Sequence, residues 1–205
     1  MSSASPPARR RAKRAGHGLG DVQDAALTLF ARTGYRATGV RDIADALGIG
    51  PTSVYSHVRT KGELLREIVV TTLRQVLAGQ RDAVASTSDP VLALRRSAES
   101  LVRYFLAHPR ESIVTIRDFA WVDDADRPEI TRLRHEYRSG IEEVLARGEE
   151  AELLVVEDRK LAAFAIIELC EAVVGWYRPD GPMSAERVAF LYGEYAARIA
   201  GARPS

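Results

Sequence analysis

Cysteine is almost missing from this chain. Cys170 is the single one in 205 residues, so no disulfide can close within the chain and no cysteine cluster can hold a metal. Long apolar runs are missing too. Nothing approaches the roughly 18 consecutive apolar residues of a membrane helix, and no apolar stretch follows the basic N-terminus as a secretory signal would require. A cytoplasmic location is the expectation. The signatures of catalysis are also lacking. There is no Gly-rich phosphate loop, no HExxH and no nucleophile elbow. Cys170 lies in an apolar stretch, which raises a thiol pKa and disfavours a nucleophile. His57 has no second His, Cys or carboxylate pair at ligand spacing. The expectation is a protein that is not an enzyme and has no metal or cofactor.

Net charge is small, at +1, but it is unevenly spread. Residues 1–61 hold 10 Lys and Arg against 4 Asp and Glu, whereas residues 62–205 hold 19 against 24. A basic first third on an acidic remainder points to a polyanion that meets the first part only. Residues 1–19, rich in Ser, Pro, Ala and Gly and carrying Arg9, Arg10, Arg11, Lys13 and Arg14, read as a disordered basic arm.

After the arm the pattern is helical. Val22, Ala25, Ala26, Leu29 and Phe30 keep the spacing of one helix face, and Gly34 reads as a left-handed cap. Val40, Ile43, Ala44 and Leu47 form a short second helix closed by Gly48. A third starts at Pro51, where a missing amide costs nothing, and runs to about His57. Thr60-Lys61-Gly62-Glu63 has capping-box spacing and opens a long helix. Further helices are expected at about 90–107, 110–122, 128–148, 157–177 and 184–201. The run 153–156 is β-like but too short to build a sheet. The fold class is all-α, and two domains are expected: three short helices containing a helix-turn-helix over residues 20–65, and a larger helical domain over 66–205.

Two short helices joined by a Gly-containing turn have the helix-turn-helix layout. In residues 38–57, Val54 and Val58 are the inward candidates, leaving Thr52, Ser53, Tyr55, Ser56 and His57 to face out. Hydroxyls and an imidazole suit phosphates and base edges. A generic helical corner would show the same spacing; the exposed Tyr and His, the arm and the charge split favour DNA.

Residues 24–65 resemble the DNA-binding domain of the TetR/AcrR family. The matching features are Ala25-Ala26-x-x-x-Phe30, Gly34-Tyr35, Thr38, Arg41-Asp42-Ile43-Ala44, Leu47-Gly48-Ile49, Val54-Tyr55-x-His57-Val58 and Lys61-x-Glu63-Leu64-Leu65. The resemblance implies that Thr38 and Tyr55 touch phosphates and that Arg41 reaches a phosphate or base. It places Thr52, Ser53 and His57 in the major groove, and pairs Lys61 with a backbone phosphate. Gly39, Pro51 and Val58 depart from the family's usual residues. The resemblance also implies a homodimer that binds a double-stranded, pseudo-palindromic operator, with repression as the usual outcome. A helical architectural module binding DNA without sequence preference is the alternative; competition by random DNA separates the two.

Residues 157–177 are apolar nearly all round and so need cover on several sides. Residues 184–201 carry Val188, Leu191, Tyr192, Tyr195 and Ile199, with the small Ala189, Gly193, Ala196 and Ala197 alongside. Both helices suit a symmetric four-helix dimer interface. Phe105, Ile116, Phe119, Trp121, Arg134, Tyr137, Phe164 and Trp176 are candidate linings of an effector pocket, and plain core packing is the competing reading for each. Arg117 and His135 are further polar groups among apolar neighbours. The segment Trp176-Tyr177-Arg178-Pro179-x-Gly181-Pro182-x-Ser184 resembles a branch of the family that answers acyl-CoA thioesters or fatty acids. The implied effector is a small hydrophobic molecule, with acyl-CoA as one class.

Overall fold

The structure is a computed structural model and describes residues 18–202. The basic arm lies, except for its last two residues, outside the described residues. Helix α1 (Leu19–Thr33) begins three residues before the apolar face expected from Val22. It is followed by α2 (Val40–Leu47), α3 (Pro51–Tyr55) and the long α4 (Lys61–Ala85). Then come α5 (Pro90–Ala107), α6 (Pro109–Asp118), α7 (Arg127–Glu150), α8 (Arg159–Glu171), α9 (Val173–Trp176) and α10 (Ala185–Ile199). No strand occurs among the described residues. The β-like run is an irregular return in which Val155 N donates to Ala200 O at 3.1 Å. Among the described residues no helix is long and apolar enough to cross a membrane.

The helix starts follow from local chemistry. Thr60 Oγ1 accepts from Glu63 N (3.2 Å), Asp89 Oδ1 from Val91 N (2.8 Å), Asp158 Oδ1 from Leu161 N (2.8 Å), and Ser184 Oγ from Arg187 N (3.2 Å). Each satisfies an amide that the helix itself leaves open. The box at Thr60 is modified: Glu63 Oε2 accepts from Arg59 N (2.7 Å), one residue outside the cap. Gly48 closes α2 at φ 65°, ψ 31°, the left-handed cap expected. Gly34 differs. At φ 93°, ψ 149° it lies outside the left-handed helical region, in extended backbone that only glycine tolerates.

α1, α2 and α3 pack around Phe30, Ile43, Ala44 and Val54, all fully buried. α4 runs from this head into the body, where α5 packs against α4, α7, α8 and α10. Two expected helices are interrupted. The stretch 110–122 stops as α-helix at Asp118 and tightens into a 3-10 turn, Phe119–Trp121. The stretch 157–177 breaks at Ala172, where Gly175 N bonds back three residues to Ala172 O.

The inward face of α10 departs from the sequence reading. Its small residues are turned into the subunit. Ala189, Gly193, Ala196 and Ala197 are buried within the subunit. A Cβ on Gly193 would lie 3.0 Å from the Arg95 carbonyl of α5 and 2.9 Å from Glu99 Cγ. Val188 and Tyr192 are buried with them. Phe190, Tyr195 and Ile199 remain exposed, as do Leu161, at 67% exposure, and Phe164 on α8; Leu161 and Ile199 share one surface recess.

Candidate nucleic-acid interface and effector cavity

The reading head is built by burying one side of α3. Val54 and Val58 are held in the core, which turns Thr52, Ser53, Tyr55, Ser56 and His57 outward. Tyr55 is 53% exposed, so it is not the core aromatic its spacing also allowed. Arg41 is exposed in the first turn of α2. Arg59, which the sequence reading passed over, projects beside them with its side chain 91% exposed and ion-paired to Glu63 at 2.6 Å. An Arg just after a recognition helix was visible in the sequence; only its exposure was not.

Two expected phosphate ligands are turned inward. Thr38 is buried, and its hydroxyl donates to Gly34 O (2.9 Å) and meets Thr33 Oγ1 at 2.9 Å. Lys61 Nζ donates to Tyr35 O (2.8 Å) and Thr38 O (2.7 Å) and lies 4.1 Å from the Tyr35 ring centroid. Partial desolvation lowers its pKa, opposed by the nearby Asp42 carboxylate. An ammonium has three N–H groups, so two of Lys61's are spent on fastening the α1–α2 turn to the start of α4. Gly39 N is also engaged, by Asp42 Oδ2 at 2.6 Å.

The end of α6 and the 3-10 turn clasp the same turn from the body side. Arg117, read as a possible ligand group, donates instead to the carbonyls of Phe30 and Ala31 at the end of α1. Its guanidinium also pairs with Asp118 at 2.7 Å. Asp118, nearly fully buried, accepts from Tyr35 N at 3.3 Å. The guanidinium of Arg36 stacks 4.5 Å from the Trp121 ring centroid. Asp123 sits so close to Gly62 that a Cβ there would be 2.8 Å from its carboxylate oxygen. Farther along α6, Arg110 reaches Asp24 (3.0 Å) and Thr28 (2.7 Å) on α1.

The opposite face of α6 lines a cavity in the body. Its walls come from α4 (Thr72, Leu73, Val76), α5 (Leu101, Phe105), α6 (Thr115, Ile116), α7 (Arg134, Tyr137, Arg138) and α8 (Phe164, Ile167, Glu168, Glu171). Five expected residues, Phe105, Ile116, Arg134, Tyr137 and Phe164, are brought together there. Phe119, Trp121 and Trp176 are not. The Phe119 ring lies under Arg134, 4.3 Å from its guanidinium carbon. Trp121 faces the head, and Trp176 is exposed and donates its indole N–H to Tyr192 Oη at 3.1 Å. His135 is exposed on α7, 3.3 Å from Ser139 Oγ. The cavity measures about 80 Å³, well below the roughly 300–1,000 Å³ of drug-sized ligand sites. Burial raises the pKa of Glu171, opposed by Arg134 and reinforced by Glu168. It lifts the Cys170 thiol to about 12, which leaves that sulfur inert.

A helix-turn-helix head clasped to a helical body with an internal cavity defines a one-component DNA-binding regulator. Comparison with known proteins sharpens the class. Residues 23–68 match the model of bacterial regulatory proteins of the tetR family, and residues 87–200 match a tetracyclin repressor-like C-terminal domain. The transcriptional repressor KstR2 of Mycobacterium tuberculosis is 30% identical over 189 residues, covering 84% of this chain and 88% of its own. Its structure, described as a ketosteroid transcriptional regulator, superposes with a TM-score of 0.79 over 91% of this chain and 95% of its own at 28% identity. PfmR of Thermus thermophilus superposes at 0.78 with 32% identity, over 86% and 97%. AibR, solved with isovaleryl coenzyme A and operator DNA, shares the fold at 0.79 and 20% identity, over 90% and 99%. The chain belongs to the TetR family, whose members are ligand-responsive DNA-binding transcriptional regulators and not enzymes.

Proposed function

We propose that this chain is a repressor which binds a pseudo-palindromic operator as a homodimer and is released by a small hydrophobic effector. Two copies joined through the exposed faces of α8 and α10 would set their α3 helices in successive major grooves, about 34–36 Å apart. Thr52, Ser53 and His57 read base edges; Tyr55, Arg41 and Arg59 hold phosphates. Lys61 keeps one N–H for a phosphate while it fastens the turn. Thr38, with its hydroxyl buried, serves by fixing that turn rather than by touching DNA.

The observation that carries the ligand response is that α6 has two faces. Thr115 and Ile116 line the cavity, and the next two residues, Arg117 and Asp118, grip the head. A cavity of about 80 Å³ cannot take an effector without its walls moving apart. Displacing α6 pulls on the end of α1 and the α1–α2 turn, and so changes the spacing of the two reading heads. Acyl-CoA thioesters are the first class to test: the segment before α10 resembles the branch that answers them, and AibR was solved with one. Only the acyl end would enter; the nucleotide would stay outside.

Selection from a random DNA pool tests the reading. The protein should enrich one inverted repeat and prefer it to random DNA by about 10³-fold or more. Adding octanoyl-CoA should release it. Equal competition by random DNA would overturn the regulator reading in favour of non-specific binding.

A further inference from the structure

The cavity contains two hydroxyl groups with nothing to bond. Tyr137 Oη and Thr115 Oγ1 are both buried, and neither has a hydrogen-bond partner among the described residues. They come from different helices, α7 and α6, and both line the same small space. An unmade hydrogen bond on a buried hydroxyl is costly, and most buried polar groups are paired. Two such groups in one cavity mark a place where something else supplies the acceptor.

The charges around the cavity narrow what that acceptor can be. Two arginines and two glutamates line it: Arg134, Arg138, Glu168 and Glu171. Only Arg138 is tied by an ion pair; Arg134 stands over a ring and offsets the charge of Glu171. Arg134 lies over Phe119 at 4.3 Å, and Arg138 lies over Phe164 at 4.9 Å and bonds Glu142 at 3.0 Å. The two arginines and two glutamates cancel, so a ligand carboxylate would add an uncompensated charge beside Glu168 and Glu171. A neutral carbonyl oxygen has two lone pairs, one for each hydroxyl, and brings no charge. Tyr137 is well suited to donate, because burial holds its pKa well above the ordinary tyrosine value and keeps the proton in place.

We infer that Thr115 and Tyr137 form a two-hydroxyl anchor for one neutral carbonyl oxygen, a ketone or thioester, on a compact apolar body. The inference rests on the reading of this cavity as the effector site and specifies its chemistry. It also assigns Thr115 a second role. The ligand would pull directly on α6, two residues before the grip on the α1 carbonyls.

The test uses the full-length protein and three probes built on one six-membered ring, the first two of matched shape. These are cyclohexanone, methylenecyclohexane (=CH₂ in place of =O) and cyclohexanecarboxylate, with binding followed by NMR and melting temperature. Cyclohexanone should bind about tenfold tighter than the hydrocarbon, the worth of one or two net hydrogen bonds. The carboxylate should bind worst. Tyr137→Phe and Thr115→Val should each abolish the preference. In the ligand-free protein each should raise the melting temperature by about 2–4 °C, since an unsatisfied group is removed. If both variants melt lower, the hydroxyls serve the fold through buried water and the anchor is overturned. Equal binding of ketone and hydrocarbon, or preference for the carboxylate, overturns the anchor and leaves the effector reading standing. Binding of no probe removes both.

Discussion

Lys61 reaches back to carbonyls 26 and 23 residues earlier in the chain, so its loss has two separable effects. Lys61→Met should lower the melting temperature by about 2–4 °C, as expected for about 1 kcal/mol in a chain of this size, and should weaken operator binding. A lysine that only touched phosphate would instead reduce the salt dependence of binding by about one unit of slope and leave melting unchanged. Tyr55→Phe should weaken binding to all sequences alike, whereas Ser53→Ala or His57→Ala should alter which bases are preferred in a repeated selection. Glu171 gives a pH signature. Its raised pKa means that the folded chain holds the proton more tightly than the unfolded chain. The stability that proton lends is present below the ordinary carboxylate range and is lost as pH rises through the raised value. Glu171→Gln should therefore flatten the fall in melting temperature from about pH 4 upward, and parallel curves for the two proteins would contradict the assignment.

Among the elements, α6 with its 3-10 turn touches both the cavity and the reading head, and the proposed coupling runs through it. Filling the cavity without ligand should mimic the effector: Ile116→Trp should weaken operator binding about tenfold or more. Adding Arg117→Ala and Asp118→Ala should remove most of that sensitivity, because the pushed helix no longer grips the head. If the triple variant is as impaired as Ile116→Trp alone, relative to Arg117→Ala/Asp118→Ala, the signal travels by another route. The helices themselves were largely legible, since Pro90, Pro109, Asp89, Asp158 and Ser184 mark starts through their own bonding. Their breaks were not. Nothing local announces that α6 ends at Asp118, where the carboxylate meets Tyr35 N, 83 positions away in sequence. The reading face of α3 could be found from Val54 and Val58 alone. The inward turn of Thr38 and Lys61 could not, because the family pattern records residues and not which neighbour receives their protons. The small side of α10 was misassigned for a similar reason: Gly193 permits close approach, but periodicity does not say whether α5 or a second copy approaches. Phe119, Trp121 and Trp176 were drawn into the pocket by their apolar area, while each found a cation, a phenol or solvent elsewhere.

At the scale of the whole molecule, the exposed side of α8 and α10 is where two copies are expected to meet. Leu161→Glu with Ile199→Glu leaves the subunit core untouched. It should give a monomer by sedimentation and a loss of operator binding far larger than that of any single reading-head variant; a persisting dimer would place the interface elsewhere. Deleting residues 2–17, with their five clustered Arg and Lys, should lower affinity and flatten the salt slope. An unchanged slope would separate the arm from DNA altogether. The small cavity, on the proposed reading, sets how this molecule answers its surroundings. If only one copy in a hundred has the cavity open at a given moment, the apparent affinity for effector is a hundredfold weaker than that of the open form. The controlled genes then ignore traces of the compound and respond to its accumulation. A substitution that props the walls apart would make the protein more sensitive to its signal and, in the same stroke, less able to keep those genes silent without it.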